Sequence, residues 1–457
     1  MSLSVIVLAA GRGARINSNK PKVLQLLAGR PLLHYVLDTC QQLSPKQTIV
    51  VCGYQGETLQ QNCQNFTVDW AWQEEQRGTG HAVQCAYSTL AAPSQVLVLC
   101  GDVPLINVAT LQQLLANTPA DSLGILTANL PDATGFGRIK RDANKKVVGI
   151  VEQRDATHTE LEIKEINTGI LVLPYKHLAA WLSKLQDQNA QHEYYLTDVV
   201  AMAVADNVPI ITQTVTDLHA IAGVNSQKQL STLERTYQLL RAEELMNKGV
   251  RLYDPNRLDI RGSVTVGTDV TIDVNVILNG EVILYDGVTI GANSIIKDSV
   301  INKDTIIHPN SIIDGAVIGD NCQIGPFARI RPGTKLGSNS KIGNFVETKN
   351  TVTAEGCKIN HLSYIGDAEI GKKVNVGAGV ITCNFDGNNK HQTIIEDDAF
   401  IGSNCELVAP VKIGKGATLA AGTTLLKDAP AHALTLTKKI MSSIINWQRP
   451  IKQKEEL

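Results

Sequence analysis

A loop rich in glycine and arginine follows the first apolar run of the chain. Residues 4–24 read SVIVLAAGRGARINSNKPKVL, so that Gly11 and Gly13 precede the cations Arg15 and Lys22. Glycine lets the backbone bend tightly and bring its N–H groups against a ligand, and a strand before and a helix after such a loop favour a phosphate site. This loop is therefore predicted to bind an anion of the phosphate class.

Neither of the two common nucleotide motifs fits this loop. The dinucleotide fingerprint G-x-G-x-x-G fails because Ile16 stands where its third glycine belongs, and no G-K-[ST] follows as a P-loop requires. The remaining pattern, L-A-A-G-x-G-x-R followed by P-K-V-L, resembles the signature of sugar-1-phosphate nucleotidyltransferases, in which the glycines, Arg15 and Lys22 all match. A solvated basic loop is the alternative, because short motifs carry a false-positive risk.

The composition indicates a cytoplasmic protein of several domains. The 457 residues favour two or three domains, and a net charge of −2 attracts neither nucleic acid nor an anionic membrane. The nine cysteines include no C-x-x-C pair and no histidine partner at zinc-finger spacing, which is typical of reduced thiols in a cytosol. The apolar start, residues 5–10, lacks a basic flank and is too short to span a bilayer.

The texture of the sequence changes along the chain and suggests a domain map. Residues 1–226 alternate short β-branched runs with helix-period stretches, which predicts a Rossmann-like α/β domain. Residues 227–249 carry apolar side chains at helical spacing and end at a glycine, which indicates a connecting helix. Residues 429–457 are predicted to form a cationic tail.

A period of six residues begins at Val266. Each hexad opens with Ile, Leu or Val. The repeat slips by one residue after Ile296 and after Ile313, resumes from Ile318 to Ile342, and returns from Ile395 to Leu419. A hexad makes one flat face of a triangular coil: its opening residue points inward, and the small residue four places later lets the corner turn. Residues 250–428 are therefore predicted to form a parallel β-helix, left-handed by resemblance to hexapeptide-repeat proteins. Chance alternation in an ordinary sandwich is the alternative.

The nucleotidyltransferase resemblance extends to further segments of the first domain. It implies that UDP-N-acetylglucosamine is bound by Leu8, Ala9, Ala10, Gly11, Lys22, Gln73, Gly78, Thr79, Cys100, Gly101, Asp102, Gly137, Glu152, Asn167 and Asn225. By the same resemblance, Asp102 and Asn225 bind Mg²⁺. The position of Asp102 after a predicted strand supports this role, since open α/β sheets bind ligands at that edge. Cys100 departs from the family, in which tyrosine is more usual there.

The reaction that this resemblance implies needs few catalytic side chains. An oxygen of the sugar phosphate attacks the α-phosphorus of UTP in line, and pyrophosphate leaves. Positioning and charge neutralisation supply the acceleration, and Lys22, Arg15 and Mg²⁺ are the implied contributors.

Within the repeat, charged side chains and one histidine lie on neighbouring coils. Arg331, Glu347 and Lys349 are followed about one coil later by His361. A histidine with a glutamate partner is an acid–base pair, although a histidine in a repeat is more often structural. The repeat also stops at residues 382–393, where the segment CNFDGNNKHQT indicates an inserted loop, and such loops tend to carry function.

These segments resemble the acetyltransferase half of the bacterial bifunctional N-acetylglucosamine-1-phosphate uridylyltransferase/glucosamine-1-phosphate N-acetyltransferase family, and the resemblance spans nearly the whole chain. It implies that glucosamine 1-phosphate is bound by Arg331, Lys349, Tyr364 and Asn375. It implies that acetyl-CoA is contacted by Ala378, Asn384, Phe385, Ser403, Ala421 and Lys438. His361, oriented by Glu347, would take a proton from the C2 ammonium, so that the amine attacks the thioester. Two positions depart from the family. Phe385 replaces the usual tyrosine, and Lys438 replaces an arginine, which keeps the positive charge but cannot form two parallel hydrogen bonds to one phosphate.

The resemblance thus implies acetyl transfer at the β-helix, followed by uridylyl transfer in the first domain. The product is UDP-N-acetylglucosamine, which feeds peptidoglycan and lipopolysaccharide synthesis. A homotrimer with the acetyl site between subunits is also implied, without nucleic acid or membrane partners.

Two alternatives remain. One is an ADP-glucose or GDP-mannose pyrophosphorylase whose β-helix only assembles subunits, and the other is a non-catalytic regulatory subunit. His361, Glu347 and the inserted loop count against the first alternative. The intact cations and metal positions of the first domain count against the second.

Overall fold

The computed structural model describes residues 2–438 and 441–449. The chain divides into two compact units, residues 1–240 and 241–457. The predicted cationic tail, residues 429–457, therefore lies partly outside the described residues.

The helices lie mainly in the first unit. They are α1 (Leu32–Leu43), α2 (Gly56–Asn62), α3 (Thr79–Tyr87), α4 (Val108–Asn117), α5 (His158–Leu161), α6 (Tyr175–Leu182), α7 (Asp198–Ala205) and α8 (Gln227–Asn247). Short 3₁₀ turns occur at Ala14–Ile16, Lys22–Leu24, Leu218–Ile221 and Pro255–Arg257.

The strands of the first unit are β1 (Leu3–Leu8), β2 (Leu26–Leu27), β3 (Arg30–Pro31), β4 (Gln47–Cys52), β5 (Asp69–Trp72), β6 (Gln95–Cys100), β7 (Leu123–Asn129), β8 (Gly137–Arg141), β9 (Val147–Val151), β10 (Glu165–Pro174) and β11 (Ile210–Thr214). Its main sheet has the order β11-β7-β10-β6-β1-β4-β5. β1 pairs in parallel with both β4 and β6, whereas β10 is antiparallel to its neighbours.

The central strand β1 shows why this sheet forms. Its four central residues are buried, and alternate side chains enter two cores: Val5 and Val7 pack on one face, Ile6 on the other. A strand that is covered on both faces has a nearly continuous apolar sequence. The chain order reverses at β1, because β4 lies on one side and β6 on the other, and such switch points open a ligand crevice. The predicted α/β domain is confirmed.

The strands of the second unit are short and numerous. They are β12 (Arg251–Leu252), β13 (Leu258–Val266), β14 (Thr271–Ile272), β15 (Val276–Leu284), β16 (Thr289–Ile290), β17 (Ile295–Ile301), β18 (Ile306–Ile307), β19 (Ile312–Asp314), β20 (Val317–Ile318), β21 (Gln323–Ile324), β22 (Arg329–Ile330), β23 (Lys335–Leu336), β24 (Lys341–Asn344), β25 (Glu347–Thr353), β26 (Lys358–His361), β27 (Tyr364–Ile370), β28 (Asn375–Val376), β29 (Ile381–Cys383), β30 (Thr393–Ile395), β31 (Phe400–Ile401), β32 (Glu406–Val408), β33 (Val411–Ile413), β34 (Thr418–Leu419), β35 (Thr424–Leu425) and β36 (Leu434–Thr435).

These strands stack in parallel as the coils of a β-helix. Ile272 pairs with Ile290, which lies one coil above, and Ile290 in turn pairs with Ile307. One face of the prism is an 11-stranded sheet running from β12 to β36, and the other faces belong to a 14-stranded sheet. The predicted β-helix is confirmed. Its last strand, β36, lies inside the segment predicted as tail, because Leu434 still pairs with Thr418.

The hexad openers form the core of this unit. Ile290, Ile296 and Ile324 are fully buried in one apolar cluster. The small residue four places after an opener is buried at the inner side of the corner, as at Ser294. The structure adds that the preceding residue, Asn293, adopts the left-handed conformation (φ 60°), which asparagine tolerates better than most residues.

Candidate functional sites

Two adjoining cavities open at the carboxyl ends of β1 and β6 in the first unit, and a third cavity adjoins one of them. The nucleotide cavity, as we call it, measures about 480 Å³ and is lined by Leu8, Ala9, Ala10, Gly11, Lys22, Val23, Gln73, Gln76, Gly78, Thr79, Ala82, Cys100, Asp102, Gly135, Glu193 and Asn225. The sugar cavity, of about 200 Å³, shares Leu8, Thr79, Cys100 and Gly135 with it. A third cavity, of about 680 Å³, shares Asn225. Most residues predicted to bind UDP-N-acetylglucosamine thus line one connected region.

Lys22 lies at the centre of the nucleotide cavity. Its Nζ donates to Oδ2 of Asp102 at 2.5 Å and to Oδ1 of Asn225 at 3.1 Å. Asp102 follows β6, and Asn225 comes from a loop more than a hundred residues later in the chain. Two side-chain oxygens from separate loops therefore converge on one cation.

Glycine occupies positions 11 and 13 of the first loop for different structural reasons. Gly13 has φ 69°, and a Cβ there would lie 2.6 Å from Cβ of Lys22, so the loop packs against the stem of that lysine. A Cβ at Gly11 would meet nothing within 4 Å. Protein packing therefore does not require glycine at Gly11, and the open space beside it is room in which a ligand can approach the backbone. Arg12 lies over the ring of Tyr54, 5.4 Å from its centroid.

The far end of the nucleotide cavity is built around the start of α3. Gly78 has φ 105°, and a Cβ there would lie 2.6 Å from the carbonyl oxygen of Tyr194. The amide of Gln73 donates to the Gly78 carbonyl at 2.9 Å, and Oγ1 of Thr79 accepts from the Leu196 N–H at 3.1 Å. Hydrogen-bonding groups are thus held rigidly at this wall.

The sugar cavity contains one carboxylate. Oε1 of Glu152 accepts from Oγ1 of Thr197 at 2.9 Å, and burial raises the pKa of Glu152. Gly137 leaves room for it, since a Cβ there would lie 3.3 Å from both carboxylate oxygens. Asn167, at a bulge in β10, accepts from the Gly169 N–H at 3.0 Å. The cavity therefore offers one acid and one amide.

Cys100 lies where the nucleotide and sugar cavities meet. Burial raises the pKa of its thiol to about 12, so the group stays protonated. Two predicted residues line neither the nucleotide cavity nor the sugar cavity: Arg15 lines the third cavity instead, and the N–H of Gly101 donates to the Leu8 carbonyl at 3.0 Å. Gly101 thus helps to connect the ends of β1 and β6.

In the second unit, Glu347 pairs with Arg331. Nη1 of Arg331 donates to Oε1 of Glu347 at 2.6 Å. Among the described residues, the ring of His361 forms no hydrogen bond, so the predicted pairing of Glu347 with His361 is not formed in this single chain and stays a prediction. The strands explain this arrangement, because Asn344 is the register neighbour of His361 and Tyr364 is that of Glu347.

His361 begins a line of residues along one corner of the β-helix. Its carbonyl accepts from the Gly379 N–H at 3.3 Å, that of Ala378 from Asn404 at 2.7 Å, and that of Ser403 from Gly422 at 2.8 Å. Ala421, which precedes Gly422, continues the line by one coil. Three predicted coenzyme contacts therefore lie above the predicted base, one per coil.

The side chains of Tyr364 and Asn384 lie close together beside β27, a strand of the 14-stranded sheet. Nδ2 of Asn384 donates to Oδ2 of Asp367 at 2.5 Å and lies 3.5 Å from the Tyr364 hydroxyl. Gly366 makes room for this ring, since a Cβ there would lie 2.5 Å from the hydroxyl oxygen. Although burial works the other way, hydrogen bonds from Asn350 and Asn384 lower the pKa of Asp367.

The inserted loop is a tight hairpin. Phe385 bridges Lys390, and Oδ1 of Asp386 accepts from the N–H groups of Asn388 and Asn389. Oδ2 of Asp386 lies 2.7 Å from Nε2 of His391. Phe385 is exposed at the hairpin's edge.

Lys390 is a residue that the sequence interpretation missed. The neighbouring ammonium of Lys349 lowers the pKa of Lys390, because two positive charges close together disfavour each other. A pair of adjacent lysines favours the binding of an anion. The position of this lysine in the inserted loop is the feature of the sequence that could have identified it. Gln76, Glu193 and Thr197 were missed in the first unit. Gln76 lies between the predicted residues Gln73 and Gly78, whereas no motif marked Glu193 or Thr197.

Two predicted residues of the second site lie apart from the others. Asn375 belongs to β28 in the 11-stranded sheet, whereas Tyr364 belongs to β27 in the 14-stranded sheet. Lys438 is exposed beyond β36.

All nine cysteines are free. No helix of the described residues is long and apolar enough to cross a membrane. Nor do these residues bring three His, Cys, Asp or Glu side chains together as a metal site.

The fold and the two sites define a class: a nucleotidyltransferase joined to a hexapeptide-repeat transferase. The MobA-like NTP transferase domain model matches residues 5–191, and the hexapeptide repeat of succinyl-transferase model matches residues 392–427. The GMPPB C-terminal domain model matches residues 260–338.

Curated relatives narrow this class. The bifunctional protein GlmU of Dechloromonas aromatica (strain RCB) is 50% identical over 453 residues, and that of Azoarcus sp. (strain BH72) is 51% identical over 452; both comparisons cover 99% of this chain and 100% of the relative. A solved UDP-glucose pyrophosphorylase complexed with UDP-glucose covers 52% of this chain and 98% of its own, with 15% identity and a TM-score of 0.44, which is too low to carry an argument.

The chain belongs to the family of the bifunctional protein GlmU. It is a bifunctional uridylyltransferase and acetyltransferase that makes UDP-N-acetylglucosamine, with acetyl-CoA as a substrate. The predicted function is confirmed, and the two alternatives, a pyrophosphorylase with an idle β-helix and a regulatory subunit, are excluded.

Proposed function

We propose that the nucleotide and sugar cavities perform uridylyl transfer, and that the β-helix performs acetyl transfer with residues of two copies of the chain. The observation that carries the first half is the convergence of Lys22, Asp102 and Asn225. The second half rests on the cations beside Tyr364 and on the corner line that begins at His361.

In uridylyl transfer, Lys22 acts by charge. An oxygen of N-acetylglucosamine 1-phosphate attacks the α-phosphorus of UTP, and the bond to pyrophosphate breaks. Negative charge on the phosphoryl oxygens would be stabilised by Lys22, by Arg15 from the adjoining cavity and by N–H groups of the loop at Gly11. No nucleophile of the protein is needed, because the substrate oxygen is already charged.

Mg²⁺ fits the oxygens that face Lys22. Oδ2 of Asp102 and Oδ1 of Asn225 already converge on one ammonium nitrogen, and carboxylate and amide oxygens suit this hard cation. These two residues would hold the ion, with the remaining ligands supplied by phosphate and water. When bound, the ion supplies charge neutralisation at the phosphates.

The walls of the cavities would provide selectivity. Gln73 and the turn at Gly78 and Thr79 present fixed hydrogen-bonding groups to the edge of uracil. Glu152 and Asn167 lie where the acetylated sugar would bind, and Glu152 can accept from sugar hydroxyls. Each group is held by a neighbour, so the site is preorganised for its ligand.

In acetyl transfer, His361 would act as the general base. It takes a proton from the C2 ammonium of glucosamine 1-phosphate, and the amine then attacks the thioester carbon of acetyl-CoA. The C–S bond breaks, and the second proton lost by the nitrogen passes to the leaving thiolate, so that the amide and free coenzyme A are formed. Arg331, Lys349 and the adjacent Lys390 would neutralise the sugar phosphate. Ala378, Ser403 and Ala421 have small side chains, which leave a groove for the extended coenzyme, and Lys438 would meet one of its phosphates. Asn384 and Phe385 would close this groove from the inserted loop.

The two halves of the acetyl site point to a shared site. His361 and Asn375 lie on the 11-stranded face, whereas Glu347 and Tyr364 lie on the 14-stranded sheet. Faces that meet at a convex corner direct their side chains apart, so one small sugar would not contact both halves of a single chain. We therefore propose a homotrimer in which each cleft joins one face of a copy to the other face of its neighbour. The free thiols agree with a cytoplasmic location.

One experiment tests both halves. The protein is given glucosamine 1-phosphate, acetyl-CoA, UTP and Mg²⁺, and products are identified by mass. UDP-N-acetylglucosamine, pyrophosphate and free coenzyme A are expected. Omission of Mg²⁺ should abolish uridylyl transfer and leave N-acetylglucosamine 1-phosphate to accumulate. Uridylyl transfer in metal-free buffer would overturn the metal assignment, and acetyl transfer by a strictly monomeric protein would overturn the shared site.

A further inference from the structure

The side-chain amide of Gln73 has a second neighbour besides the Gly78 carbonyl. Its Nε2 lies 2.9 Å from that carbonyl and 3.2 Å from Nδ1 of His81. Gln73 is 3% exposed and lines the nucleotide cavity, whereas His81, on the first turn of α3, is not among the residues that line it. His81 therefore lies behind the residue that is proposed to contact the base.

These hydrogen bonds determine which ring nitrogen of His81 carries the proton. An amide nitrogen only donates and a carbonyl only accepts, so one amide proton of Gln73 is used by Gly78. The second amide proton faces Nδ1 of His81, which can accept it only when Nδ1 is unprotonated. The neutral ring then carries its proton on Nε2, which faces Sγ of Cys85 at 3.7 Å.

The other tautomer of His81 is disfavoured. Nδ1 also lies 3.1 Å from the Glu75 carbonyl, to which a proton on Nδ1 could be donated. That carbonyl already accepts from the Arg77 N–H at 2.9 Å, so it does not need the histidine. A proton on Nδ1 would also set two donors against each other and leave the second amide proton of Gln73 without an acceptor.

Oε1 is the atom of this amide that remains for a ligand. Among the residues that the structure describes, no group donates to Oε1 of Gln73. An acceptor suits the N3–H of uracil, whereas cytosine has an unprotonated nitrogen, which is itself an acceptor, at the same position. Two opposed acceptors lose their water without gaining a hydrogen bond, and a site built for a donor rejects such a ligand.

We propose that His81 is a positioning residue, which fixes the amide orientation of Gln73 and thereby favours UTP over CTP in uridylyl transfer. A rotated amide, with its NH₂ group towards the base, would break the hydrogen bonds to Gly78 and His81 together. It would also set Oε1 against two acceptors. This inference rests on the proposed function, because it assumes that Gln73 contacts the base.

The test compares two substitutions of His81 that differ in one acceptor. His81→Asn can present Oδ1 close to the position of Nδ1, whereas His81→Phe keeps an aromatic ring and has no acceptor. His158→Phe is the matched control, because His158 is exposed at the start of α5. Steady-state kcat and KM are measured on the full chain with UTP and with CTP, and thermal melts report folding.

The expected result is a loss of base selectivity in His81→Phe. The ratio of kcat/KM for UTP to kcat/KM for CTP should fall by about tenfold, the usual contribution of one oriented hydrogen bond. KM for UTP should rise while kcat changes by less than about twofold, since the base takes no part in bond breaking. His81→Asn should keep most of the selectivity and His158→Phe all of it, with acetyl transfer unchanged throughout.

A double-mutant cycle shows whether His81 acts through Gln73. Gln73→Ala should lower the selectivity by itself, and the addition of His81→Phe should lower it no further. Unchanged selectivity in Gln73→Ala would mean that Gln73 does not contact the base, which overturns that part of the proposed function. If Gln73→Ala loses selectivity and His81→Phe does not, only the inference about His81 is overturned.

The remaining outcomes separate positioning from a structural role. Equal losses with UTP and CTP in His81→Phe, together with a lower melting temperature, would make His81 a structural residue of α3 and overturn the inference. A loss of selectivity in His81→Asn as large as that in His81→Phe would overturn the acceptor role of Nδ1. His81→Leu, which also lacks an acceptor, takes the place of His81→Phe if the phenyl ring prevents folding.

Discussion

Nζ of Lys22 lies 2.5 Å from Oδ2 of Asp102 in the first unit. Both side chains are mostly buried, with 17% and 14% of their surfaces exposed. The lysine therefore neutralises the aspartate before any metal is bound. If Mg²⁺ binds Asp102 as we propose, the ammonium of Lys22 would be free to turn to a substrate phosphate, so that metal and lysine would neutralise the same substrate charge.

Removal of this carboxylate should separate the two activities. Asp102→Ala is expected to lower uridylyl transfer by about a hundredfold or more, as does the loss of a key electrostatic group in other enzymes. Acetyl transfer should be unchanged. The control Asp121→Ala removes an exposed carboxylate of the same unit. Steady-state assays of both reactions provide the measurement, and normal uridylyl transfer would mean that the metal binds elsewhere.

Loss of the proposed base should affect only the second unit. His361→Ala is expected to lower acetyl transfer by about a hundredfold or more, the usual contribution of a positioned base, and to spare uridylyl transfer. The deficit should shrink at higher pH, because more substrate amine is then already free. A pH–rate profile measures this. Near-normal acetyl transfer by an assembled variant would make the histidine structural.

Glu347→Gln distinguishes two roles of this carboxylate. Its contact with Arg331 predicts a rise of several-fold in KM for glucosamine 1-phosphate, because an unpaired Arg331 is less well positioned. Orientation of His361, as the sequence predicted, would instead lower kcat and shift the pH–rate profile. Separate determination of kcat and KM over pH decides between them. An unchanged kcat and KM would exclude both roles.

Glu152 should make the stability of the protein depend on pH. Burial raises the pKa of Glu152 above its ordinary value of 4.5, so the folded state holds this proton more tightly than the unfolded state. The stabilisation is complete below about 4.5 and is lost as pH rises through the folded pKa. Glu152→Gln should therefore unfold at a higher temperature than wild type at pH 7–8 and at an equal temperature near pH 4. Thermal melts would contradict this if the difference did not change with pH.

The boundary of the first unit can be tested by truncation. Leu233 is buried with Ile16 and Leu27, and Oε2 of Glu234 accepts from the Ala28 N–H at 2.7 Å. A fragment of residues 1–240 is therefore expected to fold and transfer UMP. The fragment 1–229 should lose at least about 2 kcal/mol of unfolding free energy, since it lacks Leu233. Urea denaturation compares them, and equal midpoints would place the boundary nearer residue 226.

The sequence alone determined the features that depend on neighbours along the chain. The six-residue period predicted the β-helix because each opener enters the core through purely local geometry, as Ile290 and Ile296 do. Gly78 carried a similar signal, since a tight turn constrains the residue that makes it. Lys22 was predicted as a site residue through the resemblance of the first-loop pattern to the nucleotidyltransferase signature.

Only the tertiary structure decided which distant groups meet. Within a single chain, Glu347 contacts Arg331, and coil stacking makes Tyr364, not His361, the register neighbour of Glu347. The inserted loop brings Lys390 to Lys349, and no spacing in the sequence measures that approach. Contacts between coils depend on where the hexad period slips and how each corner turns, and these are properties of the folded coil that no single hexad contains.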